Sequence, residues 1–144
     1  MQLVLHEGAV RSPTLHRLLV RLNDSDVIVH VESGVVVSRA DVSHPQFVTS
    51  AAGQRYLRIS INSVTNRRDI IVLMAPELHH AFEVASNPEV VDQKTMERLY
   101  AQLGRRSRPG VTAFDTDGSL AVSRRVRAEL SVGASVRTGA ISSV

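Results

Sequence analysis

The chain has no cysteine and no tryptophan. Without thiols it can build neither a disulfide framework nor a thiolate metal site, so a metal would rest on histidine and carboxylate. Aromatic residues make up 3% of the sequence, too few for a stacking platform that binds single-stranded nucleic acid. No apolar segment reaches the roughly 18 residues that span a bilayer, so no membrane partner is expected. Charge of one sign is also scarce. Seventeen basic and 14 acidic residues leave a net +3 with no long basic run, which argues against a nucleic-acid partner. The opening Met1-Gln2-Leu3-Val4-Leu5-His6-Glu7-Gly8 lacks a basic region followed by an apolar core. No signal peptide is read there, and the cytoplasm is the default compartment. A chain already trimmed of a leader would look the same, so the compartment stays open.

What is present suits one α+β domain. The 144 residues are 43% hydrophobic, enough for a real core. Residues 1–11 read as a short apolar lead and loop. Ser12-Pro13 marks a helix start, followed by Leu15, Leu18, Leu19 and Leu22 at helical spacing. Val27, Val29 and Val31 alternate with Ile28, His30 and Glu32, the pattern of a strand. Ser33-Gly34 reads as a turn, with Val35-Val36-Val37 as a short strand and residues 38–45 as a polar loop. Gln46 to Ser50 and Tyr56 to Ile61 predict two strands joined through Ala51-Ala52-Gly53 as an antiparallel hairpin. A helix is expected from Arg67 to Ala85, broken by Asn87-Pro88. Another begins near Asp92, turns Met96, Leu99, Tyr100 and Leu103 inward and stops at Gly104. Arg105 to Gly110 reads as a basic loop, and a last helix spans roughly 118–131 with Val122, Val126 and Leu130 on one stripe. The domain is drawn at 1–131, with 132–144 as a disordered tail.

The longest apolar segment, Asp69 to Ala85, holds Glu77, His79, His80 and Glu83 near its middle. Burying charge is costly unless the groups pair or bind metal, so the segment raises a functional question. Its run Pro76-Glu77-Leu78-His79-His80 departs at one position from H-E-x-x-H, the helical zinc signature. Two histidines four apart lie one turn above each other and can grip one ion. The glutamate between them takes a proton from metal-bound water, whose pKa the zinc lowers to about 7. At about 100° per residue, position 76 and His80 lie within about 40° of each other, with Glu83 beside them. Glu77 projects to one side and His79 to the other.

Pro76 offers no lone pair, so one expected ligand is missing. Proline inside a helix also removes a hydrogen bond and clashes with the carbonyl of Val72, costing about 3 kcal/mol, so a kink is expected. A repaired zinc site would draw on His80, His79 and Glu83, with Glu77 as general base. The bland alternative is a set of hydrogen-bonded His–Glu pairs on a half-buried helix.

The chain also resembles a family beyond these five residues. The stretches are Ser12-Pro13-Thr14, Ser25 to Val31, Tyr56-Leu57-Arg58-Ile59, Pro76 to Ala85, Pro88 to Asp92 and Phe114-Asp115-Thr116. They are similar to small, mostly uncharacterised bacterial proteins that resemble zincin-type (HExxH) metallopeptidases. The family pattern is H-E-L-x-H-A-x-E-V-A, so Glu77, His80 and Glu83 match and Pro76 does not. The resemblance implies a zincin-like fold, a small mixed or antiparallel sheet lying on the motif helix. It also implies Asp115 as a third metal ligand, although aspartate is shorter than the glutamate expected there.

Three functional readings follow. The first is a zincin-like metallopeptidase homologue with an incomplete motif, catalytically impaired or inactive, binding zinc weakly or not at all. The second is an active zinc peptidase with an altered ligand set and a peptide or protein substrate. The third is a non-enzymatic module meeting acidic partners through Arg105, Arg106, Arg108, Arg124, Arg125 and Arg127, which a solvated helix face also explains. Fold and function separate easily, so the site must decide among them.

Overall fold

The computed structural model describes residues 1–34, 43–62, 66–106 and 114–139. It is α+β, with a small mixed sheet toward the N-terminal half and further helices after it. The expected strand at 35–37 lies outside the described residues, as do most of the expected loop at 38–45 and residues 107–110 of the basic loop.

Helix α1 (Gln2–Arg11) replaces the expected lead and loop. Its reason is a close approach that no periodicity announces. A Cβ on Gly8 would fall 2.7 Å from Leu15 Cδ2 and 2.9 Å from Ile71 Cγ2. Glycine therefore lets α1 settle onto the two helices behind it. Helix α2 (Pro13–Asn23) starts as expected, with the Ser12 hydroxyl accepting the Leu15 amide at 3.1 Å. Leu15, Leu18 and Leu22 are buried, and Leu19 packs against the core from its edge.

Three strands form one sheet in the order β1-β3-β2: β1 (Val27–Gly34), β2 (Gln46–Ala51) and β3 (Gln54–Asn62). β1 runs on through the expected Ser33-Gly34 turn and pairs in parallel with β3, Val27 opposite Arg55. β2 and β3 form the antiparallel hairpin, with an irregularity between Phe47 and Thr49. The hairpin turns at Ala52 (φ 51°) and Gly53 (φ 77°), two left-handed residues in a row, which suits the twist of two-residue hairpins. Leu57, Ile59 and Ile61 face the core, alternating with more exposed residues.

Helix α3 (Arg67–Ala85) has the expected bounds, capped by the Asn66 side chain on the Asp69 amide at 3.0 Å. It runs as one element through Pro76. It touches α1, α2, β1 and β3 and packs against α5 (Asp117–Gly139) along much of its length. Ile71, Met74, Ala75, Ala81 and Val84 are fully buried, so this is the central helix of the core. Helix α4 (Gln93–Leu103) begins with a capping box between Asp92 and Thr95. Met96, Leu99 and Tyr100 turn inward, but Leu103 does not. It is 47% exposed on the last residue of the helix, one turn past the buried stripe.

Two short strands, β4 (Arg105–Arg106) and β5 (Phe114–Asp115), pair antiparallel before α5. The helix α5 buries Val126 and Leu130, with Val122 at the core's edge. It continues to Gly139, so residues 132–139 are helical where a tail without structure is expected. No proline interrupts that stretch, and extending an existing helix costs far less than nucleating one. Among the described residues, no helix is long and apolar enough to cross a membrane.

One buried cation fastens the sheet to the end of α3. Arg55, 6% exposed, grips both carboxylate oxygens of Asp26 at 2.7 Å. Its remaining donors reach the carbonyls of Val84, Asn87 and Val90 at 2.8–3.1 Å. The hydrogen bonds from Arg55 hold the Asp26 carboxyl below its ordinary value, burial opposing. Arg55→Ala should destabilise the fold by about 3 kcal/mol, because buried carbonyls lose their donor, while the half-exposed Asp26 carboxylate returns to water. Arg55→Lys should recover only part of this, having no fork. Denaturant unfolding of both variants checks the order.

Candidate metal centre

The ionisable groups of α3 separate into two layers. Its cap, its apolar stripe and the break at Asn87 set the helix so that Glu77 and His80 both face inward. Glu77 is 8% and His80 2% exposed. The inner layer is His44, Glu77 and His80, whose candidate ligand atoms all lie within 4.8 Å of one another. His44 Nδ1 is 3.0 Å from Glu77 Oε2. The His44 and His80 rings meet edge to face with centroids 6.0 Å apart. His44 comes from the coil before β2 and is held there by buried Pro45.

The outer layer is organised by Glu83. One of its oxygens, Oε2, is 2.9 Å from His80 Nδ1, which leaves His80 Nε2 as the nitrogen that can meet an ion. The other, Oε1, lies 3.4 Å from His79 Nε2 and accepts the Thr116 hydroxyl at 2.5 Å. Thr116 is itself fixed by Ser119, with reciprocal amide-to-hydroxyl bonds of 3.0 and 3.1 Å at the start of α5. Gly118 lies under the His79 ring, where a Cβ would come within 2.2 Å of Nε2. Tyr100 donates to the His80 carbonyl at 3.0 Å and sets its ring edge to face with His80, centroids 5.1 Å apart.

Electrostatics follow this layering. Burial pushes the Glu83 carboxyl up, but hydrogen bonds from His79, His80 and Thr116 outweigh it and bring its pKa down to about 2. The hydrogen bond to Glu77 raises the His44 pKa against partial burial, and the charges of Glu77 and Asp115 add to it. Burial, then the charges of Glu83 and Glu77, push the Tyr100 hydroxyl up, so it stays a donor. A pocket of about 220 Å³ opens onto the inner layer, lined by His44, Pro45, His80, Met96, Tyr100 and the polar pair Gln93 and Glu97.

Of the residues singled out from sequence, Glu77 and His80 share the inner layer. His79 and Glu83 are brought together behind it, as a pair that supports His80 rather than as members of the cluster. Asp115, on β5, stands near enough for its charge to act on His44. Two residues carry more than the sequence suggested. His44 has no periodic or motif context, its only signal being a histidine fixed before a proline. Thr116 is the second half of the Asp115-Thr116 pair. Comparison with family models, with curated proteins and with solved structures finds no match.

Glu83 also predicts an acid limb in stability. A depressed carboxylate contributes stability that is full above its unfolded value and lost as pH falls through the folded one. The window here runs from about 4.5 down to about 2. The loss should be on the order of 3 kcal/mol at most. Glu83→Gln should flatten that limb in unfolding curves recorded between these pH values, while the limb from Asp26 remains.

Proposed function

We propose that the chain is a zincin-like metallopeptidase homologue whose metal, zinc in the first instance, is held by His44, Glu77 and His80. In this reading His44 supplies the imidazole that position 76 lacks, and Glu77 becomes a ligand instead of the general base. Hydrolysis is then impaired, because the carboxylate that serves as base in the motif is taken up as a ligand. The observation that carries the reading is the mutual distance of the three ligand atoms. Ligands about 2.0–2.2 Å from one ion sit roughly 3.3–3.6 Å apart in a tetrahedron, so small side-chain rotations close the set. Glu83 on His80 Nδ1 is the carboxylate–histidine support that zinc ligands commonly have. Two imidazoles and a carboxylate also suit ferrous iron, so a metal series belongs in the test.

The position of Asp115 favours a second reading, an active peptidase. Its charge reaches His44 although it stands outside the close set, so in this reading it swings in to complete a His44, His80 and Asp115 set and leaves Glu77 as base. The substrate would be a peptide entering the 220 Å³ pocket.

Calorimetric zinc titration of the metal-stripped chain separates these readings. One-to-one micromolar binding is expected, weakened at least about 100-fold by His80→Ala and by His44→Ala. Glu77→Gln weakens binding in the first reading. In the second it leaves binding intact and removes peptide turnover. Glu83→Gln should cost about 10–100-fold through lost orientation of His80. Because His44 must be neutral to bind metal and its pKa is raised above 6.5, affinity should fall as pH drops through that raised value. Zinc binding indifferent to His44 would overturn both readings.

A further inference from the structure

A second pocket, of about 320 Å³, opens where α2, α3 and α5 meet. Its lining is partly apolar, with Leu18, Phe82 and Val122, and partly polar, with Thr14 and His79; Arg17, Arg21 and Arg125 complete it. All three arginines are exposed at the rim. The Arg21 guanidinium lies over the Phe82 ring, 5.6 Å from its centroid. Elsewhere the fold pairs its arginines with carboxylates, as Arg11 with Glu7, Arg55 with Asp26 and Arg58 with Glu32. Among the described residues, none of the ion pairs takes in Arg17, Arg21 or Arg125. The acidic group felt by Arg17 is Glu129. Its oxygens are already occupied by the Ser12 and Thr14 hydroxyls at 2.5 and 2.8 Å. Three guanidinium groups thus line one pocket, Arg17 giving one donor to the Thr14 hydroxyl at 3.4 Å and keeping others to spare.

We propose that this pocket binds a small organic anion, a carboxylate or phosphate monoester carried on an aromatic or branched apolar body. Guanidinium forks match the oxygens of either head group. The volume stands at the lower end of the roughly 300–1,000 Å³ range of small-molecule sites, room for one ring and its head group. Leu18 and Val122 provide for the apolar body, since Arg21 already lies over the Phe82 ring. This proposal does not depend on the metal centre.

Phenyl phosphate is the probe, titrated into the full chain at fixed ionic strength and followed by calorimetry. Inorganic phosphate and phenol are run alongside. Saturable one-to-one binding is expected for phenyl phosphate, weaker binding for each fragment. Arg17→Gln, Arg21→Gln and Arg125→Gln should each weaken it about tenfold, as loss of a charge-assisted contact does. Arg124→Gln and Arg127→Gln, exposed on the same helix but outside the pocket, should leave it unchanged. Val122→Phe should block the site without altering charge, and circular dichroism confirms that each variant is folded. Absence of saturable binding would overturn the proposal. So would equal binding of inorganic phosphate, or an equal loss in the Arg124 and Arg127 variants.

Discussion

A carboxylate that stays ionised inside a protein must be surrounded by donors, and Glu83 recruits them from two helices. His79 and His80 come from the preceding turn of α3, and Thr116 stands just before α5. The requirement is local, but its consequences are not. Satisfying one oxygen ties the start of α5 to the last turn of α3. Satisfying the other holds the His80 ring through Nδ1, in the cluster it forms with His44 and Glu77. Remove that charge and the His80 ring loses its guide, although the apolar packing around it stays.

Much of this frame is legible in the residues. The bounds of α3 follow from an asparagine cap and an Asn-Pro break, and β3 from strict alternation around Leu57 and Ile59. These are short-range signals, and they hold because local preference and burial agree. What is not legible depends on distance through the fold. α1 owes its place to a glycine that meets Leu15 and Ile71, contacts no window of sequence contains. His44 has no helical or strand context, and only the seating of the coil before β2 brings it to Glu77. The role of Glu83 could not be read from a helical wheel either. The wheel sets it beside His80, which suits a ligand and a supporting hydrogen bond equally. Thr116, thirty-three residues on, tips the geometry toward support.

On the proposed reading, moving an imidazole from position 76 to position 44 changes more than an address. A histidine on a helix is held by every neighbouring turn, whereas His44 sits on coil with half of its side chain exposed. An ion held there would rest on two buried groups from α3 and one that moves more freely. Such a site gives up some preorganisation, and affinity with it, because ordering the third ligand costs conformational entropy at each binding event. It also brings the first carboxylate of the motif into the coordination set. Weak binding and absent hydrolysis then share one cause, the ring of Pro76.

The arginines show the complementary case. Arg55 has the Asp26 carboxylate and four carbonyls within reach, so its donors are consumed and its role is to hold the chain. Arg21 and Arg125 form no ion pair among the described residues, and the Glu129 carboxylate that meets the charge of Arg17 is already bound by hydroxyls. The same side chain is thus structural where the backbone offers it acceptors and available where it does not. A fold of this size with two such environments separates the cation it needs for stability from those it can offer a ligand. Leu18 and Phe82 serve the core first, and the apolar edge they leave open between the arginines is what distinguishes a pocket from an ordinary solvated face.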